Sequence, residues 1–205
     1  MTSLSRRAFA VAAAAALLAA CGGGDGTDRP AAERTTEGTA PATRPSAESV
    51  RTLARSVPVG LEIPAIGVDT PVIPLGLAPD RTVEVPPIQA DDPAGWYRHS
   101  PTPGRKGPSV ILGHVTVGRH GDGVFRHLAR LRRGERIVAR LENGTAAEFT
   151  VDSVRTVPKA DFPTDAVYGD VDRPELRLIT CGGPRKGDEY RDNVIVFATL
   201  SGTID

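Results

Sequence analysis

The chain has 205 residues, of which 40% are hydrophobic and 24% charged, enough for one domain with its own core but not for two large ones. Its formal net charge is zero, so no basic bias points to a nucleic-acid partner. Aromatic residues make up only 4%, against 22 glycines and 18 prolines, which excludes a mostly long-helix architecture and favours short strands with many turns.

The first 21 residues have the layout of an export signal. Ser5-Arg6-Arg7-Ala8-Phe9 precedes an uncharged run from Ala8 to Ala20, and the run ends at Leu18-Ala19-Ala20-Cys21. As a helix that run spans only about 20 Å, against a hydrocarbon core of about 30 Å, so a permanent transmembrane span is not expected. The Arg-Arg pattern resembles a twin-arginine signal, and Leu-Ala-Ala-Cys resembles a bacterial lipobox. The lipobox predicts that Cys21 is lipidated and becomes the mature N-terminus, anchoring the protein at the outer face of the cytoplasmic membrane. An ordinary cleaved signal is the alternative.

Residues 22–56 are rich in Gly, Thr, Ala, Pro, Arg and Glu and nearly lack large apolar side chains. Such a stretch buries too little surface to offset chain entropy and is read as a disordered tether. A catalytic domain is expected over residues 57–205.

Within it, eight short runs bounded by Pro, Gly or Asp predict strands over 60–63, 71–75, 82–85, 109–112, 136–141, 148–157, 176–180 and 194–200. This pattern predicts a mainly β fold closed as a barrel or sandwich. Val124, Phe125, Leu128 and Leu131 fall at helical spacing, so a short helix over 123–131 is expected to cover it.

Cys21 and Cys181 are the two cysteines of the chain. If Cys21 is acylated, Cys181 has no intramolecular partner, and an unpaired thiol outside the cytoplasm reads as reactive. Cys181 ends the run Leu176-Arg177-Leu178-Ile179-Thr180 and is followed by Gly182-Gly183. Ser109-Val110-Ile111-Leu112-Gly113 delivers His114, and Arg191 stands just before the apolar run starting at Val194. A thiol attacking an amide needs a base or a depressed pKa, a donor for the oxyanion and a proton for the leaving amine. A cysteine, a histidine and an arginine on adjacent strands supply all three, and a cation nearby favours the thiolate.

Ile-Thr-Cys at a strand end, a histidine on an earlier strand and an arginine about ten residues on together resemble the sortases. Lys159-Ala160-Asp161-Phe162-Pro163-Thr164-Asp165-Ala166-Val167-Tyr168-Gly169, Leu178-Ile179-Thr180-Cys181-Gly182-Gly183 and Asp192-Asn193-Val194-Ile195-Val196 are similar to the class F group of high-GC Gram-positive bacteria. The resemblance covers about residues 59–200. It implies an eight-stranded β-barrel with one or two short helices, Cys181 as nucleophile, His114 as general acid/base and Arg191 as oxyanion donor. It also implies that Thr180, Gly182, Val167 and Tyr168 contact the substrate. The substrate would be an LPxTG-like sorting signal, cut between Thr and Gly through a thioacyl enzyme and joined to an amine of a wall precursor or pilin. A monomer without metal or organic cofactor is expected. Pro184-Arg185-Lys186-Gly187-Asp188-Glu189 departs from the aromatic-acidic pair and longer insert of the family, and Arg185 and Arg177 are alternative oxyanion donors.

The remaining histidines read as bland. His99 and His120 lie in turn-rich loops and His127 flanks the apolar stripe, with no close His or Cys pair at metal-ligand spacing. Two rival functions are an L,D-transpeptidase, whose usual Ser-x-Gly-Cys-x-Arg signature differs from the flanks Thr180 and Gly182, and a non-catalytic surface-binding lipoprotein.

Overall fold

The computed structural model describes residues 52–187 and 189–205. The export signal, Cys21 and the tether up to residue 51 lie outside the described residues.

Eight strands form the body: β1 (Pro58–Ile63), β2 (Val68–Leu75), β3 (Ala94–Tyr97), β4 (Gly107–Leu112), β5 (Arg136–Leu141), β6 (Ala146–Pro158), β7 (Pro174–Lys186) and β8 (Glu189–Ile204). They close into a barrel in the order β1-β2-β3-β4-β7-β8-β6-β5. Pairs β2–β3 and β4–β7 are parallel; the other six contacts around the barrel are antiparallel. The β5–β6 hairpin is inserted between β4 and β7, which lets those two strands lie side by side and run in the same direction.

Alternation along the strands sorts side chains into two cores. Leu61, Ile111, Phe149, Leu178 and Val196 fill the barrel interior. Val110, Ile179, Ile195 and Phe197 face outward and are covered by Val167. With both faces of β7 and β8 buried, their central residues read as continuous apolar runs rather than as alternation. Leu53 packs on the interior cluster and Ser56 is buried, so both residues belong to the folded body.

Two local expectations are corrected. No strand covers 82–85; that segment sits in the long β2–β3 loop and folds back on its start through an isolated bridge from Leu77 to Val83 and hydrogen bonds of Glu84 with Gly76. Asp80 accepts from the Thr82 amide and hydroxyl at 3.0 and 2.7 Å, which turns the chain there instead of extending it. The missing strand is β3, whose Gly95 allows Leu75 to fill the place of a side chain. The helix expected over 123–131 is a run of turns ending in a 3₁₀ turn at Leu128–Arg130. Phe125 and Leu128 are nonetheless fully buried in the interior cluster, plugging the barrel. So short a segment gains little from a regular helical ladder and takes the pitch that packing dictates. Among the described residues the α-helix is α1 (Thr164–Tyr168), in the β6–β7 connection.

Candidate active site

The site lies where β4 ends beside β7. The last paired residues are Leu112 and Ile179. Beyond them the Gly113 amide donates to the Ile179 carbonyl at 3.1 Å, and the Thr180 hydroxyl donates to the Gly113 carbonyl at 2.7 Å. These bonds carry the parallel register past the strand end, so His114 comes level with Cys181. On the other side Cys181 pairs with Asn193 of β8. Arg191 is the next residue of β8 on that face, a diagonal neighbour about 7–8 Å away by backbone, within reach of a long side chain. Cys181, His114 and Arg191 thus share the outer face of the barrel.

Cys181 is a free, half-buried thiol. His114 is also half-buried, and its Nε2 lies 2.7 Å from the carbonyl oxygen of Pro86, in the β2–β3 loop. A carbonyl only accepts, so Nε2 carries the proton and, in the neutral ring, Nδ1 is the nitrogen left to accept one. Gly123 passes directly beneath this histidine, where any Cβ would collide with the His114 carbonyl. Gly183 follows the nucleophile with a φ of 72°, a left-handed conformation that glycine adopts without penalty, and Asp192 packs against its bare Cα.

Arg191 is exposed, and among the described residues no carboxylate pairs with it. Its guanidinium donors are therefore available to a substrate oxygen. The two alternative donors are committed elsewhere. Arg177 is buried, with its Nη2 on Glu175 at 2.5 Å and its Nε on the Ala166 carbonyl at 3.2 Å. Arg185 lies over the Tyr190 ring, 5.3 Å from its centroid.

A cavity of about 290 Å³ adjoins Cys181, lined by Phe125, Arg126, Thr156, Gly182 and Tyr190 among others. A larger one of about 610 Å³ lies on the outer face of β3 and β4, walled by Tyr97, Val110, Phe162 and Tyr168 and closed by Leu77 and Val83 of the β2–β3 loop. Of the residues expected to touch substrate, Thr180 and Gly182 line the first cavity and Tyr168 the second. Val167 is fully buried under the second, and the Thr180 hydroxyl is used within the strand pair. Burial lifts the Tyr168 phenol above its ordinary pKa, with the neighbouring Tyr97 adding to the effect, so it stays a neutral wall residue.

His99 borders the larger cavity, His120 is exposed and His127 half-buried. Among the described residues no cluster of three His, Cys, Asp or Glu side chains is arranged to hold a metal ion. Sequence reasoning missed Pro86, Tyr97 and Phe162. The paired prolines 86 and 87 were a visible signal for a rigid loop, but nothing in them indicates that a carbonyl meets His114.

A family model described as Sortase domain matches residues 61–201. No curated protein matches the chain. Among solved structures, a lid mutant of sortase A from Corynebacterium diphtheriae aligns with a TM-score of 0.56 at 20% identity, covering 73% of this chain and 72% of that one. The SrtA sortase of Actinomyces oris gives 0.55 at 22%, covering 79% and 90%. Sortase A of Listeria monocytogenes gives 0.53 at 19%, covering 72% and 90%. At such identities these structures speak for the fold, while the family model spans most of the chain, barrel and candidate site together: the chain belongs to the sortase family of cysteine transpeptidases.

Proposed function

We propose that the protein is a class F-like sortase that cleaves an LPxTG-like sorting signal with Cys181, His114 and Arg191. The Cys181 thiolate attacks the scissile carbonyl carbon, and Arg191 donates hydrogen bonds to the oxyanion that forms. The C–N bond then breaks, and the His114 imidazolium gives its proton to the leaving amine. An incoming amine attacks the thioacyl enzyme, His114 takes up its proton and the thiolate leaves. The observation that carries this reading is the shared outer face of the three side chains, set by the β4–β7 and β7–β8 registers.

The larger cavity supports the motif. Val110 pairs with Arg177, four residues before Cys181 on the same face, which at about 3.3 Å per residue is about 13 Å from the nucleophile. An extended peptide with its Thr carbonyl at Cys181 places the Leu of Leu-Pro-x-Thr three residues upstream, about 10 Å from the nucleophile, and its side chain extends from there toward Val110. The apolar walls Tyr97, Val110, Phe162 and Tyr168 suit such a side chain. The enzyme would act outside the cytoplasm, held to the membrane through a diacylated Cys21, with the amine of a wall precursor or pilin as acceptor. No helix of the described residues is long and apolar enough to cross a membrane. The L,D-transpeptidase reading is set aside, because the family model covers both the Cys181 and the His114 strands.

The test is a panel of sorting-signal peptides given to the full-length protein with and without a short amine. Cleavage between Thr and Gly, with the amine-ligated product formed only by the parent and not by Cys181→Ala, is the expected result. Product formed by Cys181→Ala would end the proposal.

A further inference from the structure

Arg177 is a buried cation that the chemistry at Cys181 does not use. It is 3% exposed on the outer face of β7, with its guanidinium 4.6 Å from the centroid of the Phe197 ring. Each arm of the fork has an acceptor. Nη2 meets Glu175 at 2.5 Å, Nη1 meets the Leu176 carbonyl at 3.3 Å and Nε meets the Ala166 carbonyl at 3.2 Å. The other Glu175 oxygen takes the Nε of Arg173 at 2.7 Å.

The bonds to Glu175 and Leu176 stay within β7; the bond to Ala166 reaches α1. That helix has five residues and no side-chain cap at its start, so its own hydrogen bonds hold it weakly. Val167, fully buried against the outer cluster, fixes its depth. Arg177 fixes the turn itself, whose last residue is Tyr168, a wall of the larger cavity beside Phe162 and Thr164. An apolar side chain over Phe197 would serve burial alone at least as well as a desolvated ion pair. The planar fork, which a lysine cannot copy, instead reaches strand and helix at once.

We propose that Arg177 is a positioning residue: its Nε–H bond to the Ala166 carbonyl fixes α1 and with it the Phe162–Tyr168 wall that meets the substrate upstream of the scissile bond. The role in substrate binding rests on the transpeptidase reading above.

Two full-length variants test it. Arg177→Lys keeps a cation beside Glu175 but loses the fork. The double variant Glu175→Gln with Arg177→Met removes both charges, so no unpaired buried ion remains. Val167 and Gly169 donate their amides to Pro163 and Asp165 at 3.1 and 2.9 Å, and their hydrogen exchange reports on the helix without any substrate. In both variants these two amides should exchange at least about tenfold faster, with β6 amides unchanged. Peptide KM should rise about fivefold or more with kcat within about twofold, since loss is confined to binding shared by ground and transition states. Alkylation of Cys181 by iodoacetamide should keep its parent rate. Unchanged exchange at Val167 and Gly169 would overturn the tether. Faster exchange with unchanged KM, or a fall in kcat at constant KM, would overturn its role in binding. A parent protein that cleaves no peptide of the panel would instead sink the transpeptidase reading, leaving the exchange result to decide the tether.

Discussion

Three arginines near β7 and β8 have different fates because their environments differ. Arg191 is exposed and unpaired among the described residues, whereas Arg177 is sealed between Glu175, Phe197 and α1. If Arg191 is the oxyanion donor, its removal should lower kcat by about 10²–10³, and Arg191→Lys should be nearly as damaging because one ammonium cannot copy the fork. Steady-state rates of the two variants beside Arg185→Ala, which should be mild, check the assignment. Glu175 carries a second prediction. Burial opposes its ionisation, but hydrogen bonds from Arg177 and Arg173 outweigh that, and its carboxyl titrates below the ordinary 4.5. A depressed folded pKa stabilises the protein above the unfolded value and stops doing so as pH falls through the folded one. Thermal midpoints of parent and Glu175→Gln should therefore differ most at neutral pH and converge as the solution is acidified below 4.5. A gap that widened on acidification would contradict the pairing.

Single elements show how the barrel aims these side chains. His114 stands past the end of β4, held by bonds of Gly113 to Ile179 and Thr180 and underlain by Gly123. Gly123→Ala puts a methyl group against the His114 carbonyl, so strand end or turn must shift. A displacement near 1 Å costs about 10²-fold in rate when it moves a catalytic group. Peptide turnover should thus collapse while circular dichroism keeps its barrel signature; full activity in this variant would free His114 of that role. Most strands could be read in advance because apolar runs such as those around Ile111, Leu178 and Val196 are dictated by burial. β3 was not, because Ala94 and Gly95 carry little hydrophobic signal and Leu75 supplies the missing bulk. The outer arms of β7 and β8, pairing Arg185 with Tyr190 and Lys186 with Glu189, were also invisible: exposed polar hairpins leave no apolar pattern. The stripe Val124, Phe125, Leu128 and Leu131 revealed burial but not pitch, since a 3₁₀ turn and a short α-helix put the same side chains inward.

For the molecule as a whole, closure brings together segments far apart in the chain. β4 and β7 become parallel neighbours only because the β5–β6 hairpin loops out and returns, and β8 then lies on β7's other side. That topology brings the end of β4, Cys181 within β7 and Arg191 near the start of β8 into one neighbourhood. Cys181 and His114 could be singled out beforehand because an unpaired thiol and a histidine each follow an apolar run, in an order that resembles the sortases. The cavity walls from Tyr97, Phe162 and the β2–β3 loop were not, because each sits in a different connection and only the closed barrel joins them. On the proposed mechanism Cys181 carries the acyl group between substrate and acceptor. Mixing full-length protein with a sorting-signal peptide in the absence of amine, quenching in acid and locating the adduct by peptide mass spectrometry tests this. The predicted result is a thioester of the Leu-Pro-x-Thr fragment on Cys181 that disappears when amine is added. Cleavage without any adduct on Cys181, or an adduct at another residue that turns over in its place, would contradict it.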